Sequence, residues 1–334
     1  MQQLKETEIR PKNLMDGQRI AMLTDVGRLL GRRKEFVDVV CPACNSNQRQ
    51  KAFEKYGMEY YQCKKCDTIY ITPRPTEEVL NWFYKYSVNY AYWNKHIFPA
   101  SEEKRRERIF VPRVDAILKY CEKYSVKTDS LLEVGAAFGT FCSEMKSRNI
   151  FKKVIGVEPT PDLAQTCREK GIEIIEKTIE QIEFLDEEKF DVVVNFEVIE
   201  HLFSPKDFIV QCKKVLKKGG LFVVTCPNGK GFDITVLGQE SIAIDHEHLN
   251  YFNPKSLSDL ISSCGFEVLE TETPGRLDAE LVRNKILSGE FDITSQPFLK
   301  QVLIENWDTL QIPFQKFIAE NGLSSNMWII AKSV

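Results

Sequence analysis

Short apolar runs rich in β-branched residues alternate with helical patterns between residues 130 and 274. The strand-like runs are SLLEVG, KVIGVEP, IEII, FDVVVNF, GLFVVTCP and FEVLETET. A strand that is apolar at nearly every position has to be buried on both faces, and helices between successive strands favour parallel pairing. The pattern therefore predicts an α/β domain whose mainly parallel sheet is covered by helices on both sides.

The segments on either side of this domain have different patterns. Between residues 14 and 30, apolar residues recur at helical spacing and predict an amphipathic helix. TPRPTEEVLNWFYKY combines prolines, a threonine cap and acidic residues, which are signals of a helix start. Residues 275–323 are mainly helical in pattern, and NMWIIAKS predicts a closing strand.

The charge balance and the lack of long apolar runs limit the classes of partner. The formal net charge is -3, so no overall positive field favours nucleic acid or an anionic membrane. The first residues, MQQLKETEIRPKN, are polar and unlike a secretory signal, and no run of about 18 apolar residues occurs. We expect a cytoplasmic protein with a small-molecule substrate, without a membrane span or a nucleic-acid partner. The sequence leaves its oligomeric state open.

Four of the ten cysteines form two closely spaced pairs. Cys41 and Cys44 lie in CPACN, and Cys63 and Cys66 lie in CKKCD, with eighteen residues between the pairs. Two C-x2-C turns at this spacing can present four thiolates to one tetrahedral ion, which is typical of a structural zinc site. The other six cysteines are scattered through apolar patterns and are expected to be buried thiols. We predict a structural Zn²⁺ in an N-terminal ribbon.

These patterns divide the chain into six parts. In order they are an N-terminal helical segment (1–37), a zinc ribbon (38–75), a helical and aromatic linker and cap (76–129), the α/β core (130–274), a helical insert (275–323) and a closing strand (324–334). The aromatic residues of YSVNYAYWNKHIF in the cap are expected either to pack in a core or to cover a ligand.

A glycine turn joins the first strand of the core to the following helix. In LLEVGAAFGTF, Gly135 and Gly139 allow the backbone to approach a ligand at the carboxyl edge of the sheet. The G-x3-G spacing lacks the fingerprint for a dinucleotide pyrophosphate. Glu158 ends the next strand, nineteen residues beyond Gly139, where a carboxylate can accept hydrogen bonds from both hydroxyls of a ribose. These features predict a site for a nucleoside without phosphates.

In these motifs the chain resembles the class I S-adenosylmethionine-dependent methyltransferases. LLEVGAAFGTF, VIGVEP, EKTIEQI, FDVVVNFEVIEHL and LKKGGLFVVTCPN fall in the order of that family's motifs. The resemblance implies a Rossmann-like seven-stranded methyltransferase sheet, with the zinc ribbon before it and the helical insert before the last strand. It implies S-adenosyl-L-methionine as the cofactor, bound by motif residues: Glu133, Gly135, Ala137, Phe138, Gly139, Glu158, Pro159, Thr178, Ile179, Asn195, Glu197 and His201.

The segment DHEHLNYF, residues 245–252, carries a narrower resemblance. A four-cysteine ribbon, an aromatic segment, this core and a His-Glu-His pattern are similar to the sugar C-methyltransferases of deoxysugar pathways and their relatives in surface-polysaccharide clusters. Those proteins have a tyrosine before the pattern, and Asp245 stands in its place here. The resemblance implies a sugar, a nucleotide sugar or a similar polar molecule as the acceptor, methylated on a hydroxyl or a carbon.

His246 and His248 are two of the four histidines and lie on either side of Glu247. Methyl transfer requires alignment of the acceptor and the methyl group and, for a hydroxyl, removal of a proton, a task that suits an imidazole oriented by a carboxylate. We therefore expect His248, with His246 and Glu247, to be catalytic, and the resemblance to the sugar C-methyltransferases implies that His248, the last histidine of the pattern, is the base. In an extended segment both histidines would share one face. The alternatives are metal ligation and a structural hydrogen bond, and His201 is expected either beside the cofactor or in packing.

The sequence thus predicts an S-adenosylmethionine-dependent methyltransferase that acts on a hydroxyl, or alternatively a carbon, of a sugar or similar polar metabolite. Two other functions stay open. Some ribosomal-RNA guanine methyltransferases also join an N-terminal zinc site to this core, although they need a basic face. The chain could also be a non-enzymatic zinc-ribbon interaction module, against which the intact Gly135, Gly139 and Glu158 argue.

Overall fold

The computed structural model of the chain describes residues 4–183, 185 and 188–334. The α-helices are α1 Glu6–Ile9, α2 Lys12–Gly31, α3 Glu77–Tyr86, α4 Val88–Tyr92, α5 Phe98–Arg105, α6 Val111–Lys123, α7 Thr140–Ser147, α8 Pro161–Glu169, α9 Pro205–Lys214, α10 Phe232–Leu237, α11 Pro254–Ser263, α12 Asp278–Leu287, α13 Pro297–Lys300 and α14 Trp307–Glu320. The strands are β1 Phe36–Val37, β2 Arg49–Lys55, β3 Met58–Cys63, β4 Ile69–Ile71, β5 Arg74–Pro75, β6 Ser130–Val134, β7 Lys153–Val157, β8 Glu173–Ile175, β9 Phe190–Phe196, β10 Leu216–Pro227, β11 Asn250–Tyr251, β12 Phe266–Glu272 and β13 Asn326–Ser333. Single helical turns of 3₁₀ or π type include Trp93–Ile97, Arg106–Phe110, Ile179–Gln181, Ile199–His201 and Gln301–Glu305.

Among the described residues, seven strands form the central sheet, in the order β12-β13-β10-β9-β6-β7-β8. β8, β7, β6, β9 and β10 run parallel, and β13 is antiparallel to both β10 and β12. Every residue of β9 is buried, because helices cover both faces of the sheet. The predicted α/β methyltransferase fold, with a helical insert before the last strand, is confirmed.

Alternate residues of the parallel strands pack into cores on opposite faces of the sheet. Leu132 and Val193 belong to the core that includes α9 and α11. Leu131 and Val192 belong to the core that includes α6 and α7. The helices cover the faces of the sheet and leave the carboxyl ends of the parallel strands free to carry polar residues.

The cysteine-containing ribbon is a second sheet, in the order β11-β4-β3-β2. β2, β3 and β4 are antiparallel neighbours in chain order. β11 comes from the α/β core, and its Asn250 pairs with Tyr70 while its Tyr251 pairs with Ile69. The ribbon is therefore continuous with the chain that directly follows the His-Glu-His pattern.

The long N-terminal helix α2 supports α4. Asp25 of α2 is 1% exposed. Its carboxylate accepts hydrogen bonds from Oγ of Ser87 at 2.6 Å and from the backbone N–H groups of Val88 and Asn89 at 3.0 and 2.8 Å. These groups open α4, whose first N–H groups have no partner within the helix. Asp25 therefore fixes where α4 begins.

The helical insert, α12 to α14, lies between β12 and β13 and shares a small core with α10. Its outer surface exposes Phe298, Ile312 and Phe317. Throughout the part of the chain that the structure describes, no helix is long and apolar enough to cross a membrane.

Candidate functional site

The glycine turn after β6 has a left-handed backbone at Gly135, Ala137 and Gly139, where φ is +83°, +47° and +69°. Residues with a Cβ rarely adopt this region. A Cβ on Gly135 would lie 2.5 Å from Cγ2 of Val198, and one on Gly139 would lie 3.0 Å from Sγ of Cys167. The turn therefore depends on both glycines, and it places Gly135 against Val198, after β9, and the start of α7 against Cys167 of α8.

Glu158, directly after β7, holds this turn in place. Its Oε2 accepts a hydrogen bond from the backbone N–H of Ala137, and its Oε1 accepts one from that of Thr160, both at 2.9 Å. Burial raises the pKa of the carboxyl group, and the two backbone donors oppose this change. A carboxylate offers about four lone-pair sites. One site on each oxygen is thus left for a vicinal diol such as that of a ribose.

Further polar groups lie near the carboxyl ends of the neighbouring strands. Glu133 of β6 is 3% exposed and accepts a hydrogen bond from Sγ of Cys142 at 3.0 Å, and burial raises its pKa to about 8. Asn195 of β9 and Thr140 of α7 are buried, and their side-chain polar atoms have no partner among the described residues. Buried polar groups without partners are costly. These groups therefore fit a polar ligand such as the amino-acid part of S-adenosylmethionine.

The other predicted cofactor residues of the loops after β6, β7 and β8 differ in how they are placed. Phe138 stacks on Phe98 of α5 with 3.7 Å between ring centroids, and Pro159 is exposed. Thr178 begins a 3₁₀ turn. The side chain of Ile179 is only 2% exposed and packs in the core. At Ile179, therefore, the backbone and not the side chain is available to a cofactor.

Glu197, directly after β9, also has a left-handed backbone, with φ of +56°. Its Oε1 accepts hydrogen bonds from Oγ1 of Thr225 at 2.6 Å and from Nδ2 of Asn326 at 3.0 Å, and a guanidinium nitrogen of Arg113 lies 3.5 Å from it. Arg113 lies over the ring of Phe196. Sequence reasoning missed Arg113, which belongs to a helix outside the motifs.

The His-Glu-His segment is a turn. Oδ1 of Asp245 accepts hydrogen bonds from the backbone N–H groups of Glu247 and His248, at 2.9 and 2.8 Å. Such a turn is typical of aspartate, whose side chain replaces a backbone acceptor. The turn separates the two imidazoles, so the expectation that His246 and His248 share one face of an extended segment is wrong.

The ring of His246 is buried between aromatic residues. It is 1% exposed, and it packs edge-on against Tyr56 and Phe83, with ring centroids 6.3 and 5.8 Å away. Neither ring nitrogen has a hydrogen-bond partner among the described residues, and burial lowers the pKa of the imidazole. His246 therefore packs beside α3 and does not face the glycine turn.

The side chain of Glu247 is 11% exposed and packs against α4. Nδ2 of Asn89 donates to its Oε1 at 2.8 Å, and Nε2 of His246 lies 3.7 Å from the same oxygen. Burial raises the pKa of Glu247 to about 7, and the nearby charge of Asp245 adds to this effect. Because Asp25 fixes the start of α4, the N-terminal helices contribute to the position of this carboxyl group.

His248 faces His201, with 4.6 Å between ring centroids. Nδ1 of His248 lies 2.9 Å from the carbonyl oxygen of Ala243, and Nδ1 of His201 lies 3.1 Å from the carbonyl oxygen of Glu247. A carbonyl oxygen only accepts hydrogen bonds, so each ring carries its proton on Nδ1. In the neutral form of each ring, the lone pair is then on Nε2.

Glu200 lies beside these two rings. It is fully buried, and neither carboxylate oxygen has a hydrogen-bond partner among the described residues. Its Oε1 is 3.9 Å from Nε2 of His201. One possible ligand atom from each of Glu200, His201 and His248 lies within 4.8 Å of the other two. Burial raises the pKa of Glu200 and lowers that of His201 to about 3.

The two parts of the site are joined by the chain after β9. Val198 is the residue against which a Cβ on Gly135 would clash, and the turn Ile199–His201 follows it directly. His201 then contacts His248. The glycine turn and the histidine cluster therefore lie at the same edge of the sheet.

The four ribbon cysteines converge as predicted. Their sulfur atoms lie within 4.8 Å of one another, with 3.5 Å between Cys41 and Cys66 and 3.6 Å between Cys44 and Cys63. Thiolates at about 2.3 Å from one tetrahedral ion lie about 3.8 Å apart. The four sulfur atoms and their spacing thus fit one metal ion bound by four thiolates.

The ribbon also holds the histidine segment. The Oη–H of Tyr60 donates to the carbonyl oxygen of Asp245 at 2.6 Å, and Nζ of Lys55 donates to that of Ser241 at 2.9 Å. Nδ2 of Asn253 donates back to the carbonyl oxygen of Cys66 at 2.8 Å. The ribbon is therefore part of the framework of the candidate site.

Comparison with known proteins agrees with this fold. A family model described as "Methyltransferase domain" matches residues 102–271. The protein class is thus defined: the chain belongs to this methyltransferase family, and the prediction of an S-adenosylmethionine-dependent methyltransferase is confirmed at that level.

Among curated relatives, a Bradyrhizobium ubiquinone biosynthesis O-methyltransferase is 27% identical over 202 residues, which cover 55% of this chain and 78% of that protein. A Mycolicibacterium smegmatis protein named probable S-adenosylmethionine-dependent methyltransferase is 38% identical over 87 residues, 26% of this chain and 32% of the relative. The chain spans about one third to three fifths of the length of several other relatives. A Clostridium acetobutylicum S-adenosylmethionine-dependent methyltransferase of known structure is 11% identical, with a TM-score of 0.48, covering 72% of this chain and 98% of that one.

Proposed function

We propose that the chain transfers a methyl group from S-adenosylmethionine to a hydroxyl of a polar small molecule, such as a sugar or a nucleotide sugar. The observation that carries the proposal is the shared position of the glycine turn, with Glu158, and the histidine cluster at one edge of the sheet. Membership of the methyltransferase family supports S-adenosylmethionine as the methyl donor. The ubiquinone biosynthesis O-methyltransferases among its relatives favour oxygen as the methylated atom.

Residues at the ends of β6, β7 and β9 would hold the cofactor. Glu158 would accept both ribose hydroxyls through its remaining lone pairs, and Glu133, Asn195 and Thr140 would face the amino-acid part. When bound, S-adenosylmethionine supplies a methyl group on a positively charged sulfur. An oxygen lone pair can attack the methyl carbon, with the sulfur as the leaving group. The chain's contribution is alignment of the acceptor with that methyl group and removal of the acceptor's proton.

His248 is the residue that we assign to removal of the acceptor's proton. Its side chain keeps 17% exposure, and the bond from Nδ1 to Ala243 leaves Nε2 without a proton. In the transfer, the hydroxyl oxygen would bond to the methyl carbon, the carbon–sulfur bond would break with both electrons on sulfur, and the hydroxyl proton would move to Nε2 of His248. His246 and Glu247 would act indirectly, because both pack on the α3 and α4 side.

The ribbon would bind one structural Zn²⁺ through Cys41, Cys44, Cys63 and Cys66. A four-thiolate site has no open position for a substrate, so the ion would stabilise and not catalyse. Its importance for function would be indirect, since the ribbon pairs with β11 and holds the carbonyl of Asp245.

A screen of acceptors tests the proposed function. The purified chain is incubated with S-adenosylmethionine and a panel of nucleotide sugars, free sugars and polyphenols, and mass spectrometry follows S-adenosylhomocysteine and the methylated product. We expect one acceptor class to gain a single methyl group in step with S-adenosylhomocysteine. Calorimetry with S-adenosylhomocysteine alone is the companion measurement, and a chain that does not bind it would refute the proposal. Methylation of a polyphenol but of no sugar would refute the sugar assignment alone.

A further inference from the structure

We propose that Glu200, His201 and His248 form a second metal site, which binds a divalent cation of the Mn²⁺ or Fe²⁺ type beside the acceptor. This inference rests on the proposed function for the cation's role in catalysis, although its binding can be tested separately. The site is distinct from the ribbon, whose four cysteines make a closed set of their own.

The first argument is the lack of a partner for Glu200. Its side chain is fully buried, and among the described residues neither oxygen accepts a hydrogen bond. The guanidinium of Arg113 contacts the neighbouring Glu197 instead. The charge of Arg113 opposes the effects of burial and of Glu197 on the Glu200 carboxyl group only in part, so the ionised form of Glu200 is costly. A bound cation would remove this cost, because it supplies the missing charge at the same place.

The second argument is the orientation of the two imidazoles. Metal-binding histidines commonly donate the N–H of the other ring nitrogen to a carbonyl or carboxylate, which fixes the tautomer. Both rings meet this condition, through the carbonyl oxygens of Glu247 and Ala243. Two adjacent rings that both present a bare nitrogen beside a carboxylate have the chemistry of a two-histidine, one-carboxylate site.

The third argument is distance. Two ligands at about 2.1 Å from the same ion lie at most about 4.2 Å apart. The 3.9 Å between Oε1 of Glu200 and Nε2 of His201 is within this limit. The possible ligand atoms of Glu200, His201 and His248 all lie within 4.8 Å of one another. To bind one ion, the side chains would have to move by about half an ångström, which small rotations about their χ angles allow. Three ligands would leave open positions for oxygen atoms of an acceptor.

With the cation bound, His248 would promote proton removal as a metal ligand and would not itself be the base, because its one free lone pair would bind the cation. A hydroxyl bound to a divalent cation has a lowered pKa, so its proton can leave to solvent while its oxygen stays oriented toward the methyl group. His248 would then contribute its lone pair to the cation, and the cation would hold the acceptor oxygen. A pair of neighbouring hydroxyls, as in a sugar, could fill two open positions.

Titration with MnCl₂ tests this site without an activity assay. Mn²⁺ prefers nitrogen and oxygen ligands, whereas the ribbon thiolates favour zinc. Binding to the zinc-loaded full chain is followed by electron paramagnetic resonance and calorimetry, and the zinc content is measured before and after. We expect one tight Mn²⁺ per wild-type chain, with at least about tenfold weaker binding in Glu200→Gln and His248→Ala.

His96→Ala is the matched control, because it removes an exposed imidazole outside the cluster. It should bind Mn²⁺ like the wild type. If Glu200→Gln does not fold, His248→Ala decides the question, since its side chain is partly exposed. Absence of tight Mn²⁺ binding by the wild type, or equal binding by all variants, would overturn the metal site. Loss of S-adenosylhomocysteine binding would instead count against the proposed function and leave the Mn²⁺ result intact.

Discussion

Replacement of Glu158 by glutamine probes the cofactor site most directly. Both carboxylate oxygens accept a backbone N–H, from Ala137 and from Thr160. An amide has one oxygen and one NH₂ group, so the NH₂ must face one of these N–H groups. One buried donor then loses its partner, which costs about 1 to 3 kcal/mol of stability. The chain should still fold, because the side-chain volume is unchanged.

The effect on cofactor affinity follows from the remaining lone pairs. If the two ribose hydroxyls bind the carboxylate, Glu158→Gln loses one charge-assisted hydrogen bond of about 1.5 to 3 kcal/mol. This corresponds to about 10- to 150-fold weaker binding of S-adenosylhomocysteine. Calorimetry measures the change, and the melting temperature is recorded in parallel. Asp162→Asn, at an exposed position of α8, makes the same charge change and should alter affinity less than about twofold.

A 2′-deoxyribose analogue of S-adenosylhomocysteine separates direct contact from distortion of the turn. The wild type should bind the analogue more weakly than the parent compound, whereas Glu158→Gln should discriminate much less between the two ligands, as in a double-mutant cycle. Equal discrimination by both proteins would show that Glu158 only supports the glycine turn. Unchanged affinity of Glu158→Gln for the parent compound would refute the assignment altogether.

Three further predictions concern the ribbon, the histidine and the buried carboxyl group of β6. Cys66→Ser should lower the zinc content below one per chain and should lower the melting temperature. Turnover should fall more than S-adenosylhomocysteine affinity, because the ribbon holds the histidine segment. A full zinc content by elemental analysis would contradict this prediction. His248→Ala should reduce turnover on the identified acceptor by about two to four orders of magnitude with unchanged cofactor affinity. The control His96→Ala should keep wild-type turnover. A single-turnover rate in His248→Ala equal to that of the wild type would show that His248 is structural. Burial raises the pKa of Glu133 to about 8 in the folded chain. The folded chain is therefore stabilised most when pH is below the ordinary carboxyl pKa, and this stabilisation is lost as pH rises through about 8. Glu133→Gln should therefore gain stability relative to the wild type between about pH 5 and 8, by at most about 1.4 kcal/mol per pH unit in denaturant titrations, and a pH-independent difference would contradict the raised pKa.

Patterns local in the chain determined the fold class and the positions of the glycine turn and of the cysteine cluster. The order of apolar runs and helices predicted the parallel sheet because periodicity reports which faces of each element are buried. The glycine turn with Gly135 and Gly139 was visible because only glycine tolerates its backbone cheaply. The convergence of the two cysteine pairs could be predicted from their spacing, because each C-x2-C turn brings its own two sulfur atoms together.

Only the tertiary structure decided how distant segments meet. Glu200 carried no signal of its own, since a buried carboxylate without a partner is defined by its surroundings, and these include His248, far along the chain. β11 is two residues long, too short for an alternating pattern, yet it joins the ribbon to the core by pairing with β4. An extended segment would have placed His246 and His248 on one face, and the turn at Asp245 separates them because the Asp245 side chain accepts the hydrogen bonds of the backbone N–H groups of Glu247 and His248.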